Sequence, residues 1–177
     1  YEHFMMKEIH EQPKAVKDTL NSVLKDGKFD LTDIGLAEED IRRTSQIYIV
    51  ACGSAYHVGM VAQYVIEDLV KIPVRVELAS EFRYRKPILD PNGLVIIISQ
   101  SGETADSLAA LRETKAQGIR TLGIVNVVGS SIAREADKVF YTLAGPEISV
   151  ATTKAYSTQL IASYILAIEF AKVKNTI

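Results

Sequence analysis

Three hydroxyl side chains stand within the six residues Ser99-Gln100-Ser101-Gly102-Glu103-Thr104. The apolar run 94–98 precedes them and apolar residues at helical spacing follow, which predicts a buried strand, a loop and a helix beginning near Thr104. The first N–H groups of a helix lack intrahelical partners, and the helix dipole favours an anion there. Because the loop holds no Lys or Arg, it suits a sugar phosphate monoester better than a nucleotide triphosphate with magnesium. A plain helix cap at Thr104 is the simpler alternative, but three hydroxyls favour a ligand site.

Other groups near the same predicted sheet edge could also contribute. Ser54 follows a predicted strand, and its role stays open between a ligand contact and a helix cap. His57 has no carboxylate partner in the sequence pattern, so a structural role is favoured over catalysis. Lys154 follows Thr152 and Thr153, either of which could cap the last helix, and a solvated lysine or a site role are equally open for it.

Strands and helices must alternate to position these groups. Strands are predicted at 47–51, 74–78, 94–99, 121–126 and 139–142, and helices at 55–69, 105–117, 131–136 and 153–172. This alternation predicts an α/β fold with a five-stranded, parallel, doubly wound sheet of flavodoxin-like order, flanked by helices. In such a sheet the loops after the first and third of these strands meet at the switch point, where ligands bind.

The first 44 residues follow a different pattern. Two leading helices are predicted, with Pro13 between them at a first-turn position of the second. A polar connector with a short helix at 37–43 follows. We therefore divide the chain into leading helices and connector at 1–44 and a sugar-phosphate-binding domain at 45–177.

Composition limits the possible functions. The chain has 177 residues, 47% hydrophobic and 24% charged, with a formal net charge of −2. This charge gives no footprint for nucleic acid, and no apolar run has the length of a membrane span. Cys52 is the only cysteine, which favours a reducing, cytoplasmic compartment and an inert core thiol. Dinucleotide, Walker A and metal-ligand patterns are absent, so we expect no cofactor and no metal.

Four segments together carry a family resemblance. They are CGSAYH at 52–57, ASEFRYR at 79–85, SQSGETAD at 99–106 and VATTKA at 150–155. In order and spacing they resemble the first sugar-isomerase (SIS) domain of the glutamine–fructose-6-phosphate aminotransferases, also called glucosamine-6-phosphate synthases. The resemblance covers essentially the whole chain.

The resemblance implies a set of substrate-binding residues. Those that match the family's phosphate-binding positions are Ser99, Gln100, Ser101 and Thr104. Those that match positions lining the sugar are Val150 and Thr152, where the family often has Ser in place of Thr152. Ala55 departs from the family, since many members have a sugar-contacting Ser there. We include Ser54 among the expected binding residues, and whether it replaces the hydroxyl that Ala55 lacks stays open.

The resemblance also implies the activity. Members make glucosamine 6-phosphate and glutamate from fructose 6-phosphate and glutamine, through a glutaminase domain and two SIS domains. The catalytic lysine, glutamate and histidine belong to the second SIS domain, so we expect this chain to bind fructose 6-phosphate or glucose 6-phosphate without catalysis. A homodimer is expected. The alternatives are a free-standing phosphosugar isomerase and the effector-sensing SIS domain of a sugar-phosphate-responsive transcription regulator, although residues 1–44 give no convincing helix-turn-helix.

Overall fold

The computed structural model describes every residue from Tyr1 to Ile177. Its helices are α1 Phe4–Asn21, α2 Glu38–Arg43, α3 Gly53–Val70, α4 Ala79–Arg85, α5 Ala105–Ala116, α6 Ser131–Glu135 and α7 Lys154–Val173. Its strands are β1 Leu24–Lys25, β2 Lys28–Phe29, β3 Ile47–Ala51, β4 Val74–Leu78, β5 Leu94–Ser99, β6 Arg120–Val125 and β7 Lys138–Tyr141. A single 3-10 turn, Thr32–Ile34, precedes α2.

Five parallel strands form the central sheet in the order β4-β3-β5-β6-β7. This is the predicted flavodoxin-like order, and it is confirmed. Three expected strands have the expected bounds, and the two last ones begin and end one residue earlier than expected. The strand order reverses between β3 and β5, where Ile47 pairs with Leu94 and Ala51 with Ile98. The loops that follow these two strands therefore lie side by side.

Both faces of the sheet are covered because its central strands are apolar on both sides. All residues of β3 and β5 are buried. Ile49 and Ile96 belong to a cluster of 26 buried residues that includes α3 and α7, whereas Val50 and Ile97 belong to a second cluster of 12 on the other face. Continuous apolar strands of this kind are typical of parallel sheets between two helical layers.

The expected pair of leading helices is wrong, because α1 is one helix of 18 residues with Pro13 inside it. Proline cannot donate the hydrogen bond that the carbonyl of Ile9, four residues earlier, would accept. The side-chain amide of Gln12 donates to that carbonyl instead, over 3.2 Å. A local side-chain donor thus replaces the lost backbone bond, and the helix continues.

The connector packs into the same core as the sheet. Leu31, Ile34, Leu36 and Ile41 are buried members of the larger cluster. The predicted short helix is present as α2, and β1 and β2 add a small antiparallel ribbon that was not predicted. The division of the chain at residue 44 stays a prediction. None of the helices is both long enough and apolar enough to cross a membrane.

Candidate sugar-phosphate site

A cleft of about 240 Å³ opens at the carboxyl edge of the sheet, between the loops that follow β3 and β5. The start of α7 forms its third wall. The residues that line it carry no formal charge: Cys52, Gly53, Ser54, Ala55, Ile98, Ser99, Gln100, Ser101, Thr104, Thr152 and Gln159. Six of the seven expected binding residues therefore meet in one cleft, as the topology predicts.

The β5–α5 loop is held in shape by its own hydroxyl groups. Ser99 is 3% exposed, and its Oγ accepts from the N–H of Gly102 at 3.1 Å and lies 3.0 Å from Oγ1 of Thr104. The Oγ of Ser101 accepts from the N–H of Glu103 at 3.2 Å. Thr104 occupies the N-cap position of α5, but its hydroxyl makes no capping hydrogen bond. The plain helix-cap interpretation of Thr104 is therefore wrong.

Gly102 lets this loop approach the segment before α6. Its φ is +67°, and a Cβ at this position would lie 2.6 Å from Cβ of Ser130 and still closer to its Oγ. The carbonyl of Gly102 accepts from the N–H of Ile132 at 3.0 Å. The carboxylate of Glu103 accepts from the N–H of Ser131 at 2.7 Å. Hydrogen bonds from the side chain and backbone of Ser131 hold the pKa of Glu103 below its ordinary value.

The loop presents unused donors to the cleft. The N–H groups of Ser101 and Thr104 have no acceptor within the chain. They lie at the N-terminus of α5, where the dipole of a 12-residue helix adds partial positive charge. Free N–H groups and hydroxyls in a cleft without carboxylates suit a phosphate group, because each can donate to an anionic oxygen.

The β3–α3 loop contributes the facing wall. Gly53 turns the chain with a φ of +56°, and Ser54 is exposed in the first turn of α3. Neither Ser54 nor Cys52 makes a capping hydrogen bond to this helix. Ala55 is buried and presents a methyl group to the cleft. The Cys52 thiol is partly buried and lies 3.9 Å from Oγ of Ser107, so it packs beneath the loop.

The segment before α7 brings Thr152 to the cleft but not Val150. Thr152 Oγ1 donates to the Glu147 carboxylate at 3.0 Å. The Val150 side chain is fully exposed and lies outside the cleft, so its expected sugar contact stays a prediction. Glu147 also accepts from the N–H groups of Thr153 at 2.9 Å and Ala155 at 3.2 Å. Glu147 therefore caps α7, and the expected cap by a threonine hydroxyl is wrong.

Helix α1 holds this segment in place. The carboxylate of Glu8, which is 2% exposed, accepts from the N–H groups of Ile148 at 2.6 Å and Ser149 at 3.3 Å. Burial alone would raise the pKa of Glu8, but these hydrogen bonds outweigh it and lower the pKa. Lys154 is buried and donates to Glu11 at 2.7 Å, so the solvated lysine, one of the two alternatives, is wrong. Sequence patterns gave no sign of these contacts, because α1 lies about 140 residues away along the chain.

No side chain that could act as an acid or base lines the cleft. The ones nearest to the cleft residues along the chain are His57, Glu103, Glu147 and Lys154, and all four lie outside it. The His57 side chain is exposed and contacts the ring of Tyr56 edge to face, with ring centroids 5.7 Å apart. Glu103 and Glu147 accept from N–H groups at the starts of α6 and α7, and Lys154 forms an ion pair with Glu11. Across the whole chain no three metal-binding side chains cluster.

Sequence reasoning missed Gln159, which lines the cleft from α7. A signal was available, since Gln159 lies four residues after Ala155 and three before Ala162, both of which face the core. A single amide on the apolar face of a helix indicates a polar partner there.

Comparisons with known proteins agree with this fold. A model of the SIS domain matches residues 40–169. An isomerising glutamine–fructose-6-phosphate aminotransferase from Clostridium tetani is 60% identical over 178 residues, covering 100% of this chain and 29% of that protein. The C-terminal domain of glucosamine-fructose-6-phosphate aminotransferase from Francisella tularensis has a TM-score of 0.96 at 48% identity, covering 100% of this chain and 50% of that one. Glucosamine-6-phosphate deaminase from Thermotoga maritima has a TM-score of 0.79 at 28% identity, covering 96% and 49%.

The chain spans less than a third of the length of the curated relatives it matches. Its likeness to the aminotransferases in sequence and in fold extends over the whole chain, and the SIS match covers residues 40–169 of it. The resemblance expected from the four motifs is thereby confirmed. The protein belongs to the SIS domain family, as a homologue of the isomerase region of the glutamine–fructose-6-phosphate aminotransferases.

Proposed function

We propose that the cleft binds a hexose 6-phosphate, either fructose 6-phosphate or glucose 6-phosphate, with its phosphate on the β5–α5 loop. The observation that carries the proposal is the pair of free N–H groups at Ser101 and Thr104, at a helix N-terminus and in a cleft without charged side chains. A phosphate there gains charge-assisted hydrogen bonds and needs no lysine or metal ion.

Each residue of the loop has its own part in this binding. Ser101 and Thr104 supply a backbone N–H and a hydroxyl each, and Gln100 supplies an amide that bonds no other side chain. Buried Ser99 shapes the loop through Gly102 and Thr104. We assign Ser54, Val150 and Thr152 to the sugar itself; for Ser54 and Thr152 the support is their position along the cleft.

We further propose that the chain is the first SIS domain of an aminotransferase that converts fructose 6-phosphate and glutamine to glucosamine 6-phosphate and glutamate. The names of its relatives support this assignment. By itself the chain binds without catalysis, because no acid or base lines its cleft. Each lacking acid–base group forfeits about 10²–10⁴ in rate. Other domains of the whole protein would supply those groups and the ammonia.

We also propose a cytoplasmic homodimer. The single free cysteine fits a reducing compartment. Tyr84 and Ile88 are 75% and 93% exposed and offer apolar surface to a second subunit.

Calorimetric titration of the 177-residue chain with fructose 6-phosphate tests the phosphate assignment. Thr104→Val and Ser101→Ala should each weaken binding about ten- to hundredfold, since a hydrogen bond to a charged group contributes roughly 1.5–3 kcal/mol. Ser45→Ala is the matched control, because Ser45 precedes β3 at the opposite edge of the sheet and bonds Asp90. Unphosphorylated fructose should not bind measurably. Unchanged affinity in both variants, or equal binding of fructose, would contradict the proposal.

A further inference from the structure

One buried amide in the cleft has no partner in the protein. The Gln159 side chain is 3% exposed and lines the cleft, yet neither atom of its amide forms a hydrogen bond within the chain. The hydroxyl of Ser163, one turn further along α7, donates to the backbone carbonyl of Gln159 at 2.9 Å and not to its side-chain amide. The amide is not sealed from the cleft, since Oγ of Ser130 is the only fully buried side-chain polar atom without a partner. Because side-chain amides in protein interiors are nearly always paired, the amide of Gln159 takes its partner from the cleft, as water or as a ligand.

Helix α7 fixes where this amide points. Gln159 lies on the core face of a 20-residue helix, between the buried residues Ala155 and Ala162. The buried hydroxyls beside it on α7 are already engaged, because Thr158 donates to the carbonyl of Ala155 at 3.1 Å and Ser163 to the carbonyl of Gln159 at 2.9 Å. The amide therefore has no partner on its own helix, and a functional reason for it follows.

The chemistry of an amide limits what it can bind. It offers both a donor and an acceptor, which matches a hydroxyl group, whereas a phosphate oxygen would use only the donor. Ala55 lines the same cleft from α3, and its methyl group offers neither. The phosphate donors Ser101 and Thr104 lie on the separate β5–α5 loop. The amide is therefore suited to the hydroxylated body of the ligand.

We propose that the side-chain amide of Gln159 binds a hydroxyl group of the sugar and so selects hydroxylated phosphate esters over simple ones. The proposal rests on the proposed function, since it places a hexose 6-phosphate in this cleft. It adds a specificity-determining residue on α7 to the residues assigned above, and this residue acts on the sugar and not on the phosphate.

Titration of Gln159→Met and Gln159→Leu with two ligands tests the proposal. Met keeps the length of the side chain and removes both polar atoms, so the fold should be retained. Affinity for fructose 6-phosphate should fall about tenfold, whereas affinity for methyl phosphate should change less than twofold. Gln117→Leu is the matched control, because Gln117 lies at the far end of α5 and is exposed. A deoxy sugar phosphate that lacks the contacted hydroxyl should bind the wild-type chain and Gln159→Met equally.

The outcomes separate this inference from the proposed function. If the wild-type chain binds neither ligand, both are wrong. If it binds fructose 6-phosphate and Gln159→Met binds it equally well, the amide holds only water and the inference alone is overturned. Should both variants fail to fold, the side-chain amide resonance of Gln159 in the 15N-labelled wild-type chain replaces them. It should shift with fructose 6-phosphate and not with methyl phosphate, and equal shifts would overturn the inference.

Discussion

Replacing Gly102 with alanine tests how closely the β5–α5 loop packs against the segment before α6. Two costs add at this position. A left-handed conformation, here φ +67°, costs an L-residue about 1–2 kcal/mol. The added methyl group would also lie 2.6 Å from Cβ of Ser130, and overpacking of this kind costs roughly 1–3 kcal/mol. Their sum is about 2–5 kcal/mol, or roughly 4–20 °C in Tm for a domain of this size.

Gly118→Ala is the matched control. Gly118 has a φ of +72°, and a Cβ there would have no neighbour within 4 Å. This variant carries the strain without the clash, so its Tm should fall by about 2–8 °C. The entropy that alanine removes from the unfolded chain is the same for both variants and cancels in the comparison.

Thermal unfolding and phosphate-ester binding give the two readouts. Gly102→Ala should lower Tm further than Gly118→Ala and weaken binding of fructose 6-phosphate more than tenfold, because the displaced loop carries the N–H donors. Adding Ser130→Gly should recover the part of the Tm loss that is due to the clash, relative to Ser130→Gly alone. Equal Tm losses for Gly102→Ala and Gly118→Ala would refute the close packing.

Two further predictions concern acid stability and catalysis. Hydrogen bonds from Lys154 and then Lys7 lower the pKa of Glu11 to about 2 from 4.5, so its contribution to stability is complete above pH 4.5 and is lost as the pH falls toward 2. Urea unfolding from pH 6 to pH 3 should thus show a weaker pH dependence for Glu11→Gln than for the wild-type chain or for Glu39→Gln, an exposed control; identical curves would contradict it. Incubation of the chain with fructose 6-phosphate and glutamine, or with ammonium, should yield neither glucosamine 6-phosphate nor glucose 6-phosphate, and turnover abolished by Glu147→Gln or His57→Ala would show a self-sufficient enzyme.

Local sequence patterns are sufficient to predict the sheet and the β5–α5 loop. Strand β5 is a continuous apolar run that ends in hydroxyl residues and glycine, and these patterns depend only on neighbours along the chain. Parallel pairing of β3 with β5 then follows from handedness and connection rules. The meeting of Ser54 with Ser101 at one sheet edge could therefore be predicted, and the structure confirms it.

Two predictions from the local sequence are wrong because an unexpected side chain makes the hydrogen bond. Proline usually ends a helix, but the Gln12 amide satisfies the carbonyl that Pro13 leaves free, so α1 continues. A threonine before a helix usually caps it, but the Glu147 carboxylate reaches the first N–H groups of α7. In both cases the side chain that makes the hydrogen bond lies only a few residues away, and the sequence pattern does not specify its orientation.

The packing of distant segments settles which polar groups are buried and which partners they have. Glu8 reaches the segment before α7, and Glu11 reaches Lys154 at the start of α7, because α1 packs against α7, although about 140 residues separate them. The side-chain amide of Gln159 is left without a partner in the chain because the neighbouring hydroxyls of Thr158 and Ser163 bond backbone carbonyls instead. Burial depends on contacts between distant segments, and hydrogen bonding inside a core depends on distances of a few tenths of an ångström. A linear sequence fixes the residues available for such contacts, whereas the packed chain alone fixes which of them meet.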